Sequence, residues 1–390
     1  MTKQKPNSTS IRFAALAFAF LLSLQSTAPA QYFPGKSWED KTPQEVELNS
    51  DALKNAVEFA KANEYSGPKD LRQAILKGFE REPFHKIKGP TKRRGGPAGM
   101  ILKNGFVVAK WGDTKRVDMT FSVTKSYLST VAGLAVDSGL IRSVNDPVNQ
   151  YVWDGHFDSK HNSKITWHHL LNQSSDWSGE LFGMPDWGDR PPRDGGVDDW
   201  RNRKLVEPGT RFEYNDVRVN LLSYSLLNVW REPLPRVLKQ KVMDPIGAST
   251  TWRWYGYDDT WLTVDGLKMQ CVSGGGHSGG GIFISTEDHA RFGLMFSRNG
   301  KWNDKQLISK DWIEKVQKPS KANSSYGYMW WLNRGSRKLA NVDSESVYYA
   351  AGFGGNYIVV DSENDLVVVA RWLEPSKMGE FMALVSKSLK

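Results

Sequence analysis

Thr120-Phe121-Ser122-Val123-Thr124-Lys125-Ser126-Tyr127-Leu128-Ser129-Thr130 is the stretch around which the chain is organised. Leu128, Val131, Leu134 and Ala135 recur at helical spacings and Gly139 stands in the stop position. The pattern predicts a helix of roughly four turns beginning near Phe121. Ser122 and Lys125 then share one face of its first turn. A hydroxyl needs a base within hydrogen-bond reach to attack a carbonyl, and residues three apart on a helix are neighbours. The free N–H groups of a helix start favour developing negative charge, and a desolvated lysine gives up its proton more easily. A second Ser-x-x-Lys, Ser66-Gly67-Pro68-Lys69, has a Gly-Pro core that belongs to a turn and cannot present both groups on a helix.

Upstream, Lys3, Lys5 and Arg12 precede the apolar run Phe13 to Leu24, and Ala28-Pro29-Ala30 has the small-x-small form of a cleavage site. Residues 1–30 therefore read as a secretory signal peptide, too short for a membrane span and cut after Ala30. The expected mature chain, 31–390, carries no integral membrane span and is periplasmic or secreted. Without those three basic residues the formal charge falls from +9 to +6, a modest excess. The densest basic cluster, Lys86, Lys88, Lys92, Arg93 and Arg94, surrounds Gly89-Pro90 and reads as a solvated loop, so no nucleic-acid partner is expected. Cys271 is the only cysteine, and the fold must rest on core packing. His168 and His169 are adjacent and point apart, and no spaced His/Asp set occurs, so neither a metal nor a cofactor is expected.

Along the chain, amphipathic helices are predicted over 51–64 and 69–81. A hairpin follows, with Gly99 to Lys103 and Phe106 to Trp111 joined by Asn104-Gly105. From 120 to about 290 the pattern is mainly helical, with an irregular Trp-, Gly- and Pro-rich segment over 176–200. Trp177, Trp187 and Trp200 there would either line a pocket or pack in the core. Strands return at Tyr326 to Leu332, Val347 to Ala351, Asn356 to Val360 and Leu366 to Trp372, and a helix closes the chain over 377–389. The expectation is an α/β (α+β) fold in one domain over 31–390. An antiparallel sheet is built from both chain ends (about 45–119 and 291–390), with an inserted helical subdomain (about 120–290).

One further constellation stands out: Pro208-Gly209-Thr210-Arg211-Phe212-Glu213-Tyr214-Asn215-Asp216, placed before a helix. Ser122 to Lys125, then this segment, then glycine-rich segments ending in a strand, resembles the class C β-lactamase, DD-peptidase and esterase family of serine hydrolases. Asn145-Asp146-Pro147, Gly280 to Asp288 and Tyr326-Gly327-Tyr328 extend the likeness over nearly all of the mature chain. The resemblance implies a β-lactamase/DD-peptidase-like fold with Ser122 as nucleophile, Lys125 as its base or electrostatic partner, and Tyr214 as proton relay. It also implies an oxyanion hole from the backbone N–H groups of Ser122 and Phe353, with Gly352, Gly354 and Gly355 letting substrate approach the backbone. Which of Lys125 and Tyr214 is the base stays open.

Two departures narrow the function. The place of the family's third motif is taken by Ala350-Ala351-Gly352, which lacks the Lys or His that grips a carboxylate. Asp216 stands where the family places an amide, and either caps the helix, the favoured reading, or holds Lys125 protonated. Similar motifs occur in the branch of 6-aminohexanoate-dimer hydrolases and carboxylesterases. The expected function is thus an exported serine hydrolase of a small ester, amide or peptide-like substrate through an acyl-enzyme on Ser122. The alternatives are a penicillin-binding DD-peptidase or β-lactamase, and a non-catalytic binding protein on the same fold. Gly276-His277-Ser278-Gly279-Gly280 imitates a nucleophile elbow, but Lys268-Met269-Gln270 is expected to interrupt the strand such an elbow needs. His277 is read as a structural histidine that borders the cleft.

Overall fold

Six strands form an antiparallel sheet in the order Trp331–Leu332, Val347–Gly352, Asn356–Asp361, Leu366–Arg371, Ala98–Lys103 and Phe106–Trp111. The computed structural model describes residues 1–3, 31–339 and 341–389. All but the first three residues of the expected signal peptide lie outside these. Tyr32–Lys390 forms one unit. Asn104 and Gly105 both take positive φ (55° and 85°), the geometry that matches a two-residue turn to the twist of its strands. The early and late parts of the chain meet between the fourth and fifth strands, where Ala98 lies opposite Arg371.

Side chains alternate across the sheet and so feed two cores. Met100, Leu102, Tyr348, Ala350, Val367 and Val369 face the helical region. Ile101, Tyr349, Val359, Leu366 and Val368 face the helices Ser50–Ala62 and Met378–Lys387. Val367 and Val369 are each at most 1% exposed, and burying such a side chain contributes about 1.5–3 kcal/mol. On the helical side, Thr286–Ser297, capped by Ser285, packs directly on the sheet.

The region 120–290 is less purely helical than expected. Arg253–Val264 and Leu267–Val272 form a hairpin, which joins Gly281–Ile284 and Asp118–Met119 in a second, four-stranded sheet. Asp265 and Gly266 take φ of 53° and 78° at its turn, so an Asp-Gly hairpin signal was present; the exposed Asp258, Asp259 and Lys268 obscured the flanking alternation. Lys268 to Gln270 therefore lies within a strand rather than interrupting one. The elbow still lacks its helix, because Gly281–Ile284 is extended. The basic cluster also differs from a solvated loop. Lys88 is buried against Asp259 (2.8 Å) and Arg94 against Glu64 (2.6 Å).

Thr124–Asp137 is the helix predicted from the opening stretch, preceded by a 3-10 turn over Phe121–Val123. It is buried from Thr124 to Ala135 and packs against Asp216–Trp230.

Candidate active site

The backbone before Ser122 is pinned from several directions. The buried Arg371 guanidinium donates to the carbonyls of Asp118 (3.2 Å), Met119 (2.9 Å) and Ile284 (2.9 Å). Thr120 donates its N–H to Ile282 (2.9 Å). His289 bridges the Thr120 and Tyr127 hydroxyls at 2.8 Å each. Burial, helped by Arg371, holds the His289 pKa well below its ordinary value, so the ring is neutral, with one nitrogen to donate and one to accept. Phe121 then takes φ +50°, an uncommon conformation for a bulky residue, and the chain turns into the helix with Ser122 at its mouth.

Lys125 lies 2.8 Å from Ser122 Oγ through Nζ and 2.6 Å from Asp216 Oδ1, and its side chain is 1% exposed. Burial is the strongest single influence and opposes its charge, yet Asp216 and Tyr214 together outweigh it and the lysine pKa is raised. Burial likewise opposes the Asp216 carboxylate, while Lys125, Arg190 and His277 hold it far below the carboxylate range. Both directions agree on an ion pair. The favoured reading of Asp216 as a helix cap is therefore corrected. Asn215 is the cap, its side chain accepting the Arg218 N–H at 3.0 Å, which leaves the Asp216 side chain free to turn toward Lys125.

The ion pair continues into a chain of charges that are buried except at Arg190, which is half-buried on the cavity wall. Asp216 Oδ2 is 2.6 Å from Arg190 Nη1 in an ion contact without hydrogen-bond alignment. Arg190 also holds Asp189 (2.7 Å) and His277 Nδ1 (3.1 Å), and His277 Nε2 reaches Glu82 at 2.6 Å. Glu82, Asp189 and His277 are close enough to share a cation (their ligand atoms lie within 4.8 Å). The Arg190 guanidinium already supplies positive charge there. Gly275 makes the junction possible, since a β-carbon on it would lie 1.7 Å from Asp216 Oδ1 and 2.4 Å from Lys125 Nζ.

Ser122, Tyr214, His277, Gly275, Gly352 and Phe353 line one cavity of about 660 Å³. The Tyr214 ring sits 4.7 Å from Lys125 Nζ and stacks on Trp331 (5.6 Å, 19°). A β-carbon on Gly352 would meet Thr120 O at 2.2 Å and Ser122 N at 3.3 Å, so the strand end lies beside the serine N–H. Neither the Ser122 nor the Phe353 N–H donates to a backbone acceptor among the described residues. Gly354 and Gly355 are not on the cavity wall. With φ of 75° and 77° they shape the turn against Trp372 and Leu373. Trp177 is core, and Trp187 and Trp200 line a different cavity.

A site of this geometry can supply a hydroxyl nucleophile and an adjacent ammonium, two ingredients of acyl transfer. The beta-lactamase family model matches residues 85–372. The chain belongs to the beta-lactamase family. Its fold is the α+β fold expected of that family. Among solved structures, it is similar to EstCE1, a hydrolase with promiscuous acyltransferase activity (15% identity, TM-score 0.57, 87% of this chain and 98% of that one). It is also similar to a "Putative 6-aminohexanoate-dimer hydrolase" from Bacillus anthracis (15%, 0.54, 83% and 95%). A curated relative from Escherichia coli O157:H7, named "Putative D-alanyl-D-alanine carboxypeptidase", is 23% identical over 195 residues. That match takes in 42% of this chain and 45% of the relative, so this beta-lactamase-family chain spans about half the length of the curated relatives it matches.

Sequence reading had picked out Ser122, Lys125, Asp216, Tyr214, Gly352, Phe353 and His277, which the fold brings together. It missed Glu82, Asp189, Arg190, Gly275 and Trp331. The run Gly274-Gly275-Gly276 was the available signal for Gly275, since closely spaced glycines mark close approach. Arg190 stood in an irregular segment with no motif around it.

Proposed function

We propose that this family member hydrolyses a small ester or amide through an acyl-enzyme on Ser122. Ser122 Oγ attacks the carbonyl carbon and, as the Oγ–C bond forms, passes its proton to the Tyr214 phenol oxygen, whose own proton moves on. Lys125 and Tyr214 convey a proton to the leaving group as its bond breaks, and water reverses these steps to free the acid. The observation that carries this reading is the 2.8 Å contact between Lys125 Nζ and Ser122 Oγ. Because Asp216 keeps Lys125 charged at rest, the lysine favours the serine oxyanion electrostatically, and Tyr214 is the relay beside it. The N–H groups of Ser122 and Phe353 would hold the carbonyl oxygen. We further propose that the enzyme is exported, on the strength of residues 1–30. Among the described residues no helix is long and apolar enough to cross a membrane.

The E. coli relative's name supports a second reading, cell-wall peptidase chemistry or β-lactam acylation. Intact-mass spectrometry after a fluorophosphonate probe, and in parallel after a penicillin, separates the two. A probe adduct on wild type alone, absent from Ser122→Ala and without penicillin adduct or turnover, is the result expected. A penicillin adduct would move the assignment to the second reading. Equal labelling of Ser122→Ala would exclude Ser122 as nucleophile.

A further inference from the structure

A second cavity, of about 530 Å³, shares no lining residue with the one around Ser122. The segment 208–216 contributes to both: Pro208, Gly209 and Thr210 line this cavity, and Phe212 and Tyr214 line the other. Its volume suits a small molecule. Its wall carries Lys315, Lys318, Lys321, His168 and His169 and no carboxylate. Lys315 is committed to Asp311. Lys318 and Lys321 have no carboxylate within ion-pair range among the described residues, and after burial these two lysines are what hold the His168 pKa below its ordinary value.

The groups around the lysines are fixed by the fold and left with protons to give. His168 and His169, neighbours on the helix Trp167–Leu171, do not point apart as expected; both border the cavity, with ring centres 5.8 Å apart. The Ser174 hydroxyl donates to Asn172 Oδ1 (2.5 Å), so Asn172 Nδ2 donates to His168 Nε2 (3.0 Å). The neutral His168 ring therefore carries its proton on Nδ1 and donates it to the Tyr328 oxygen (2.5 Å). Tyr328 is 6% exposed, burial raises its pKa, and its own O–H proton has no acceptor among the described residues. Buried polar groups seldom lack a partner. His169 repeats the pattern. Its Nδ1 accepts the Thr166 N–H (3.2 Å), and burial, then His168, lowers its pKa to about 4. The proton of the neutral ring is thus on Nε2, where a β-carbon on Gly209 would come within 3.0 Å. On the lysine side, Ser320 holds the loop: its N–H donates to the Tyr326 carbonyl (3.0 Å) and its hydroxyl accepts the Asn323 N–H (3.0 Å).

We infer that this cavity binds a phosphate group, at a site separate from the acyl-transfer machinery and independent of that proposal. Lys318 and Lys321 supply the positive charge, and Tyr328 O–H and His169 Nε2–H supply the directed donors. These four come from three segments of the chain. A phosphate spreads up to two negative charges over oxygens in a tetrahedron and accepts from several directions at once, whereas a carboxylate accepts in one plane. The group belongs either to a soluble phosphate ester or to a lipid headgroup.

Two measurements on the purified protein separate these sources: calorimetric titration with glycerol 3-phosphate at low ionic strength, and co-sedimentation with phosphatidylglycerol vesicles against phosphatidylcholine vesicles. Each is made on wild type, on the double variant Lys318→Gln, Lys321→Gln, and on Tyr328→Phe. The double variant Lys301→Gln, Lys305→Gln, which removes two exposed charges outside the cavity, is the control. Lys318 and Lys321 are exposed, so their replacement should leave the fold intact. Binding is expected to weaken at least tenfold in Lys318→Gln, Lys321→Gln and about fivefold in Tyr328→Phe, and to hold in the control. That pattern with glycerol 3-phosphate supports a soluble ester; the same pattern with phosphatidylglycerol vesicles alone supports a headgroup. Binding to neither probe, binding that either cavity variant leaves unchanged, or an equal loss in the control would overturn the inference.

Discussion

The molecule buries two networks of charge of similar composition and opposite organisation. Around Asp176 and Asp186 the carboxylates are shared by several arginines: Arg203 (2.7 Å to each), Arg218 (3.1 Å to each) and, for Asp176, Arg211 (3.3 Å). The Gly179 and Val206 N–H groups complete them. Every contact there has a substitute. Around Ser122 the charges of Glu82, His277, Asp189 and Arg190 are cross-linked, but they narrow to a serial end, Asp216 to Lys125 to Ser122, and Lys125 alone among the described side chains hydrogen-bonds Ser122 Oγ. A parallel network clamps the loop over 176–218; a serial one transmits position and charge to a single oxygen.

Breaking the serial network at its end has the largest expected effect. Lys125→Met should lower kcat/KM toward a fluorogenic ester about a thousandfold or more, in the range seen when a nucleophile's partner is removed. Arg190 still pairs with Asp216 in that variant, so circular dichroism should show a folded protein. Gly275→Ala comes next. Its methyl group would occupy the space between Asp216 and Lys125, and a loss of about a hundredfold in kcat is expected, together with about 1–3 kcal/mol of stability measured by urea unfolding. Intact kinetics in Gly275→Ala would show that the tight Lys125–Asp216 contact is dispensable.

The parallel clamp should give way more gently. Arg203→Met leaves Arg218 on both aspartates, and a stability loss of about 1–3 kcal/mol is expected with kcat within a few-fold of wild type. A collapse of activity would mean that the clamp is serial after all.

The pH dependence sharpens the contrast further. The folded Asp216 pKa is depressed, so its contribution is fully present above the ordinary carboxylate value of about 4 and is lost as pH falls toward the folded value. The unfolding free-energy gap between wild type and Asp216→Asn should be flat through neutral pH and narrow only below about pH 4. The smallest expected effect is at Cys271, outside both networks. Burial pushes its thiol up to about 12, so a thiol reagent should leave the native protein unlabelled at pH 8 and modify it only in denaturant.

The sequence exposed what is local. Ser122 and Lys125 share a helix turn, Asn104-Gly105 names its own hairpin, and the strands near Val347, Asn356 and Leu366 are bounded by turn residues. It concealed what is assembled from distant segments. Glu82, Arg190 and His277 lie in three unrelated stretches, and no periodicity links them. Asp216 was misread because Asp and Asn are both good caps. Only the fold shows that Asn215 takes that role and frees its neighbour. The hairpin Arg253–Val264/Leu267–Val272 was missed because exposed charges broke the alternation that its Asp-Gly turn should have prompted a reader to test.

The strand pair that joins early and late chain has a temporal meaning as well as a spatial one. Ala98–Lys103 bonds to Leu366–Arg371, so this part of the sheet cannot close until residues 366–371 have left the ribosome. Folding of such a long-range topology is slow, because loop closure is spent before the contacts that reward it. The serine site, which borrows Gly352 and Arg371 from strands about 230 to 250 residues beyond Ser122, can therefore form only after those strands have been made.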